Sequence, residues 1–148
     1  MNNIDEAKKM LKDYKQLLIR KKQLATVIEE LDRIVTSAKS PNFEQNMSGG
    51  YDLSISEKIA RLVDLEHEFE RINIQLQEKI LIIERILMKV AEEQTLGANI
   101  LHYKFVDNLT LEAISVIINY SYRNTVRIYN SAIRSFYINF QKEVTQNG

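Results

Sequence analysis

The chain of 148 residues has no cysteine, one proline and four glycines. Without cysteine it has no disulfides and no thiolate metal ligands, a composition compatible with the cytoplasm. With so few helix breakers, long helices are free to form. Long apolar runs are also missing. The stretch "ILIIERILMKV" is eleven residues and carries charges, whereas a bilayer-spanning helix needs about 20 apolar residues. The opening "MNNIDEAKKM" has no apolar region of the kind a secretory signal requires. There is no glycine-rich phosphate loop, no metal-spaced histidine or cysteine cluster and no motif for an activated nucleophile. The two histidines, His67 and His102, fall in different elements. The sequence therefore predicts no enzyme activity, no cofactor and no metal.

Charge of one sign is lacking overall, with 20 basic and 20 acidic residues. A neutral total argues against a general nucleic-acid binder. The distribution is uneven, however. Residues 1–22 carry seven Lys or Arg against three acids, 23–96 carry eight against fourteen, and 97–148 carry five against three. Within 121–136 there are three arginines and no acid. A local basic face is compatible with the neutral sum.

What is present is helical periodicity. Leu11, Tyr14, Leu18, Ala25, Ile28 and Val35, with a second row of Met10, Leu17, Leu24 and Leu31, predict a helix over 3–38. Its stripe is wider than a coiled-coil seam. "SAKSPNFEQNMSGGYDLS" then breaks the pattern and predicts a loop over 38–54. Ser54 and Glu57 form a capping-box pair. After them Ile55, Leu62, Phe69, Leu76, Ile83 and Val90 recur every seven residues, predicting a helix over 55–95. Their companion row, Ile59, Glu66, Asn73, Ile80 and Leu87, is interrupted twice by polar residues. Either Glu66 and Asn73 fix register or partner choice, as a buried asparagine does in coiled coils, or the row rotates into solvent because 3.6 residues per turn does not match 3.5. The two stripes predict an antiparallel helical hairpin over 1–95. The seven-residue row predicts a homodimer through Leu62, Phe69, Leu76 and Ile83.

Beyond Gly97 and Asn99 the elements shorten, to helices expected at 98–107, 110–118 and 121–138 and a flexible tail at 139–148. Thr110 and Ser121 are candidate caps. Leu109 and Ile114 stand at staple spacing, and Asn119 tolerates the left-handed backbone of a tight turn. A short helix, a three-residue turn and a longer helix make a helix-turn-helix pattern over 96–138. With Val126, Tyr129, Ile133 and Phe136 turned inward, the last helix shows Tyr122, Arg123, Asn124, Arg127, Ser131 and Arg134 outward. These types donate to phosphates and base edges, and the first of them lie at the end that would enter a major groove.

The segment "ILHYKFVDNLTLEAISVIINYSYRNTVRIYNSAI" resembles region 4 of sigma factors. It is more closely similar to the region-4-like domain of small regulators from phages of Gram-positive bacteria, related to the RinA and ArpU late-gene activators. Lys104-Phe105 matches the family's Arg-Tyr-like pair. Asn108 stands where the pattern has its first glycine, and Ile114-Ser115 stands for Ile-Ala. Asn119-Tyr120-Ser121 stands for Gly-Tyr-Ser, and Val126 with Ala132-Ile133 matches the recognition-helix core. The likeness extends upstream through "MSGGYDLSISEKIARLVDLE" and covers 45–137. Asn replaces Gly twice and Ser replaces Ala once. The resemblance implies an all-α transcription regulator in the cytoplasm of a bacterial host, binding double-stranded DNA through its C-terminal domain and contacting host RNA polymerase, with no membrane attachment. The competing reading is a small terminase subunit, which joins a helix-turn-helix to oligomerising helices in a ring, or another coiled-coil protein that binds a host protein.

Overall fold

A computed structural model describes residues 3–38 and 54–147. They form α1 (Asn3–Ala38), α2 (Ile55–Glu93), α3 (Thr95–Phe105), α4 (Leu111–Ile118) and α5 (Tyr122–Asn147). Among the described residues there is no strand, so the all-α class holds. Among them, too, no helix is long and apolar enough to cross a membrane. The loop expected over 38–54 lies, but for its end residues, outside the described residues.

The described residues fall into two compact units, 17–76 and 1–16 with 77–148. In the first, the Arg20 guanidinium meets the Glu68 carboxylate at 3.1 Å, and the Lys21 ammonium lies 5.8 Å from the Phe69 ring centre. Arg20 stands 18 residues before the end of α1 and Glu68 13 residues after the start of α2. An antiparallel pairing therefore leaves the two facing ends offset by only about 7–8 Å along the axis, at 1.5 Å per residue. Leu24, Val35, Leu62, Ile72 and Leu76 are buried here. The Arg20–Glu68 pair itself is half exposed and marks the register more than it stabilises it. Glu66 is exposed and Asn73 half-buried, while Leu87, further along the same row, is buried. The companion row thus rotates out of the core in the first half of α2, as the 3.5-against-3.6 mismatch requires.

The second unit differs from a boundary at residue 95. The first turns of α1 and the end of α2 pack with the C-terminal helices. Ala7, Leu11 and Tyr14 are buried, as are Ile83, Ile86 and Val90. They share this unit with Ile100, Leu101, Ile114, Ala132, Phe136 and Phe140. Phe136 is fully enclosed, and its ring centre lies 6.4 Å from that of Phe105.

Two sequence expectations change here. The helix expected at 98–107 instead spans Thr95–Phe105, with Gly97 buried inside it. A methyl group on Gly97 would stand 2.9 Å from the Ala132 Cβ on α5. The missing side chain is what lets the two helices approach. The Gln94 amide, 2.6 Å from that methyl position, is the end of a flexible side chain and can swing away. The Ala132 methyl is bonded to the backbone and cannot. Alanine in place of a helical glycine ordinarily stabilises by about 0.5–1 kcal/mol. Gly97→Ala should instead destabilise by about 1–3 kcal/mol through overpacking, read as a lower urea midpoint.

The second change is the C-terminus. No flexible tail begins at 139: α5 continues to Asn147. Asn139, Phe140 and Glu143 are buried on its inner face. The segment reads as polar because a polar seam, not an apolar stripe, holds it. The Ser135 hydroxyl donates to Glu93 Oε2 at 2.7 Å, and the Asn139 amide donates to the Ser135 carbonyl at 2.9 Å. Arg85 and Lys89 bind the two oxygens of Glu143 at 2.9 and 3.2 Å. The Arg85 hydrogen bond, then that of Lys89, holds the Glu143 carboxyl below its ordinary value. A depressed carboxyl contributes stability that is complete above its unfolded value, near pH 4.3, and is lost as pH falls through the folded one. The melting temperature should therefore drop below about pH 4, and Glu143→Gln should flatten that part of the profile.

Candidate nucleic-acid interface

The geometry of the C-terminal segment begins at its caps. The Thr110 hydroxyl accepts from the Ala113 amide at 3.2 Å and starts α4. Ile114, one turn in, is fully buried. Ser115 is also buried, and its hydroxyl donates to the Glu112 carbonyl at 2.6 Å. That internal bond removes the desolvation cost of placing a hydroxyl where the resembled pattern has alanine.

Asn119 ends α4 in the left-handed conformation, at φ 59 and ψ 44. The turn is closed by the Tyr120 amide donating to the Ser115 carbonyl at 3.1 Å. Asn108, before α4, is the other described non-glycine residue with positive φ, at 55. Asparagine tolerates this region because its short side chain satisfies nearby backbone groups. Ser121 then caps α5, accepting from the Asn124 amide at 3.1 Å.

The inner face of α5 is not quite the expected one. Phe136 is buried, but Val126, Tyr129 and Ile133 are only half-buried. The centre of the row is Thr125, Ala132 and Phe136. Sequence reasoning passes over Thr125 because it is polar. Its hydroxyl donates back to the Ser121 carbonyl at 2.9 Å, and the side chain is fully enclosed.

On the outer face Arg123, Arg127 and Arg134 are exposed, and none forms an ion pair with a described residue. At 3.6 residues per turn they fall within about 40° of one another around α5. Asn130 lies on the same strip, is exposed and is absent from the sequence-based set. Its spacing of seven from Arg123 was the available signal. Asn124 and Ser131 are exposed but sit on the flank of that strip, and Tyr122 projects from the opposite side, about 100° away. The structure therefore brings together three guanidiniums and one amide, with the remaining candidates at the margins.

The proposed oligomerisation residues are placed differently. Leu62, Leu76 and Ile83 are buried inside the single chain, and Phe69 is half-buried. Leu62, Leu76 and Ile83 are therefore core positions of the single chain, and Phe69 alone of the four keeps part of its surface exposed. The exposed apolar residues of α2 include Leu81 and Met88, the latter 70% exposed. Among the described residues no cluster of His, Cys, Asp or Glu is arranged to hold a metal ion. Comparison with protein-family models, with curated proteins and with solved structures finds no match to this chain.

Proposed function

We propose that the chain is a sequence-specific DNA-binding transcription regulator of a phage or mobile element, in which α4, the turn at Asn119 and α5 act as a helix-turn-helix of the sigma region 4 type. The observation that carries this reading is backbone conformation. The two positions where the resembled pattern has glycine, Asn108 and Asn119, are the two described non-glycine residues with left-handed backbone. Glycine in a pattern marks such a position, so asparagine here keeps the turn geometry that the substitution put in doubt. The arginine strip on α5, which forms no ion pair among the described residues, then supplies cations to a duplex. Contact with host RNA polymerase and self-association belong to the same proposal, and for the latter the exposed Leu81 and Met88 are the better candidates.

The exposed apolar residues of α2 also favour a second reading, a small terminase subunit or another coiled-coil interaction protein. A fluorescence titration at several salt concentrations, on DNA from upstream of the chain's own gene and on scrambled duplex, tests the first. A regulator should prefer its site by roughly a thousandfold or more. Arg134→Ala, a little over three turns from the start of α5, should weaken both duplexes about equally and lower the salt slope by about one. Equal affinity for the two duplexes defeats the proposal. Light scattering that returns a ring of many copies favours the terminase.

A further inference from the structure

We infer that the cleft between the first turns of α1, the α3–α4 turn and α5 binds a nucleoside di- or triphosphate. It is a concavity of about 260 Å³. Lys8, Lys12 and Lys15 line it from one face of α1, at spacings of four and three that align on a helix. Lys104 joins them from the last turn of α3. Four lysines thus line one cleft that no acidic residue lines. None of the four forms an ion pair with a described residue. The acids nearest in sequence are Glu6 and Asp13 on α1 and Asp107 after α3, and none of them is part of the lining; the Asp107 carboxylate lies 3.5 Å from His102 Nδ1. Like charges gathered without counter-charge repel one another, and a bound polyanion relieves that repulsion.

Charge alone would suit any anion. The walls narrow the choice. Phe105 and Tyr129 line the cleft with ring centres 6.3 Å apart, and Leu11 adds an apolar side chain. Aromatic faces of this kind stack flat bases. Tyr137 is the third ring, and the Lys8 ammonium lies 5.9 Å from its centre, a cation–π contact that positions the charge at the rim. Burial holds the hydroxyls of Tyr129 and Tyr137 above the ordinary phenol range. Both stay protonated and are donors to a phosphate or a base edge. Inorganic phosphate would leave the rings unused. The phosphates of a duplex lie on its convex surface and have no call on an apolar hollow. The volume is just under the ~300–1,000 Å³ of clefts that enclose a whole drug-sized ligand. It suits a base with its phosphates reaching outward to the lysines.

The inference does not depend on DNA binding, and its test is separate. Calorimetric titration of the full chain with ATP, GTP, inorganic pyrophosphate and adenosine should give one site per chain for at least one nucleotide. Pyrophosphate and adenosine should each bind at least tenfold more weakly. Lys12 and Lys15 are exposed, so the double variant K12Q/K15Q should melt like wild type and lose at least tenfold in nucleotide affinity while retaining its DNA preference. Tyr137→Leu should weaken the nucleotide more than pyrophosphate. Failure of both nucleotides to bind overturns the inference. So does pyrophosphate binding as tightly as the nucleotides, or a K12Q/K15Q variant that binds them like wild type. If nucleotides do not bind and K12Q/K15Q instead lowers the salt slope on duplex DNA, the lysines are backbone contacts and the cleft is no site.

Discussion

Phe136→Ala should lower the stability of the unit that holds the C-terminal helices by about 3–5 kcal/mol, the range for removing a fully enclosed aromatic ring. The ring is wholly buried and lies between Phe105 on α3 and Tyr137 beside it on α5. Ala132, one turn earlier, is already held against Gly97. That close approach leaves α3 and α5 little freedom to collapse into the space a lost ring creates. The cost should therefore sit towards the upper end, where residual cavity volume adds to the transfer term. Against a total of about 5–15 kcal/mol for a typical domain, about a fifth or more of the stability would be lost. Urea unfolding followed by circular dichroism should show a lower midpoint at unchanged slope. Ile138→Ala, two residues on but 55% exposed, should leave the midpoint within about 0.5 kcal/mol. A Phe136→Ala midpoint indistinguishable from that control would mean that the ring is not the centre of this core.

The helices were legible where one physical signal dominated. The break at Pro41 to Gly50 and the seven-residue row of α2 placed the two long helices within a residue or two of their ends. The caps at Ser54, Thr110 and Ser121 were readable because a hydroxyl three residues before an orphan amide has a single local use. Illegible were the features set by a distant neighbour. Gly97 looks like a breaker until Ala132 is found against it. The last turns of α5 look like a tail until Glu93, Arg85 and Lys89 are found meeting Ser135 and Glu143. Those partners lie 42 to 58 residues away in sequence, and no local pattern announces them.

The same distinction applies to the surfaces. Spacing along one helix puts Arg123, Arg127 and Arg134 on a common face, and they are there. The seven-residue row of α2 identified residues that pack, but not against what. Leu62, Leu76 and Ile83 are buried within the chain itself, without the second copy that was expected to cover them. The lysine cleft was out of reach for another reason. Lys8, Lys12 and Lys15 read as a solvated basic face until Lys104 and the rings of Phe105, Tyr129 and Tyr137 are brought to the same hollow.

Arg123→Ala and Arg127→Ala should each cost about 1–3 kcal/mol at a specific DNA site, a five- to 150-fold loss, and relax base preference there. Both lie in the first two turns of α5, after the Ser121 cap, the end of a recognition helix that meets base edges. They are separated by about 6 Å along the axis and about 40° around it, so they would address neighbouring base pairs in one groove. Neither has an intramolecular carboxylate partner among the described residues. Their removal should therefore leave the melting temperature unchanged, and a loss of binding would not be a loss of folding. Specific binding should suffer more than binding to scrambled duplex, the reverse of the even loss expected for Arg134→Ala at a phosphate. Asn130 lies on the same strip, and Asn130→Ala should cost less than either arginine, since it carries no charge to the duplex. Lys142→Ala, exposed and off the strip, is the control. If both arginine variants bind cognate DNA like wild type while folding normally, α5 is not a recognition helix. The exposed Leu81 and Met88 of α2 would then be the surface through which the chain acts.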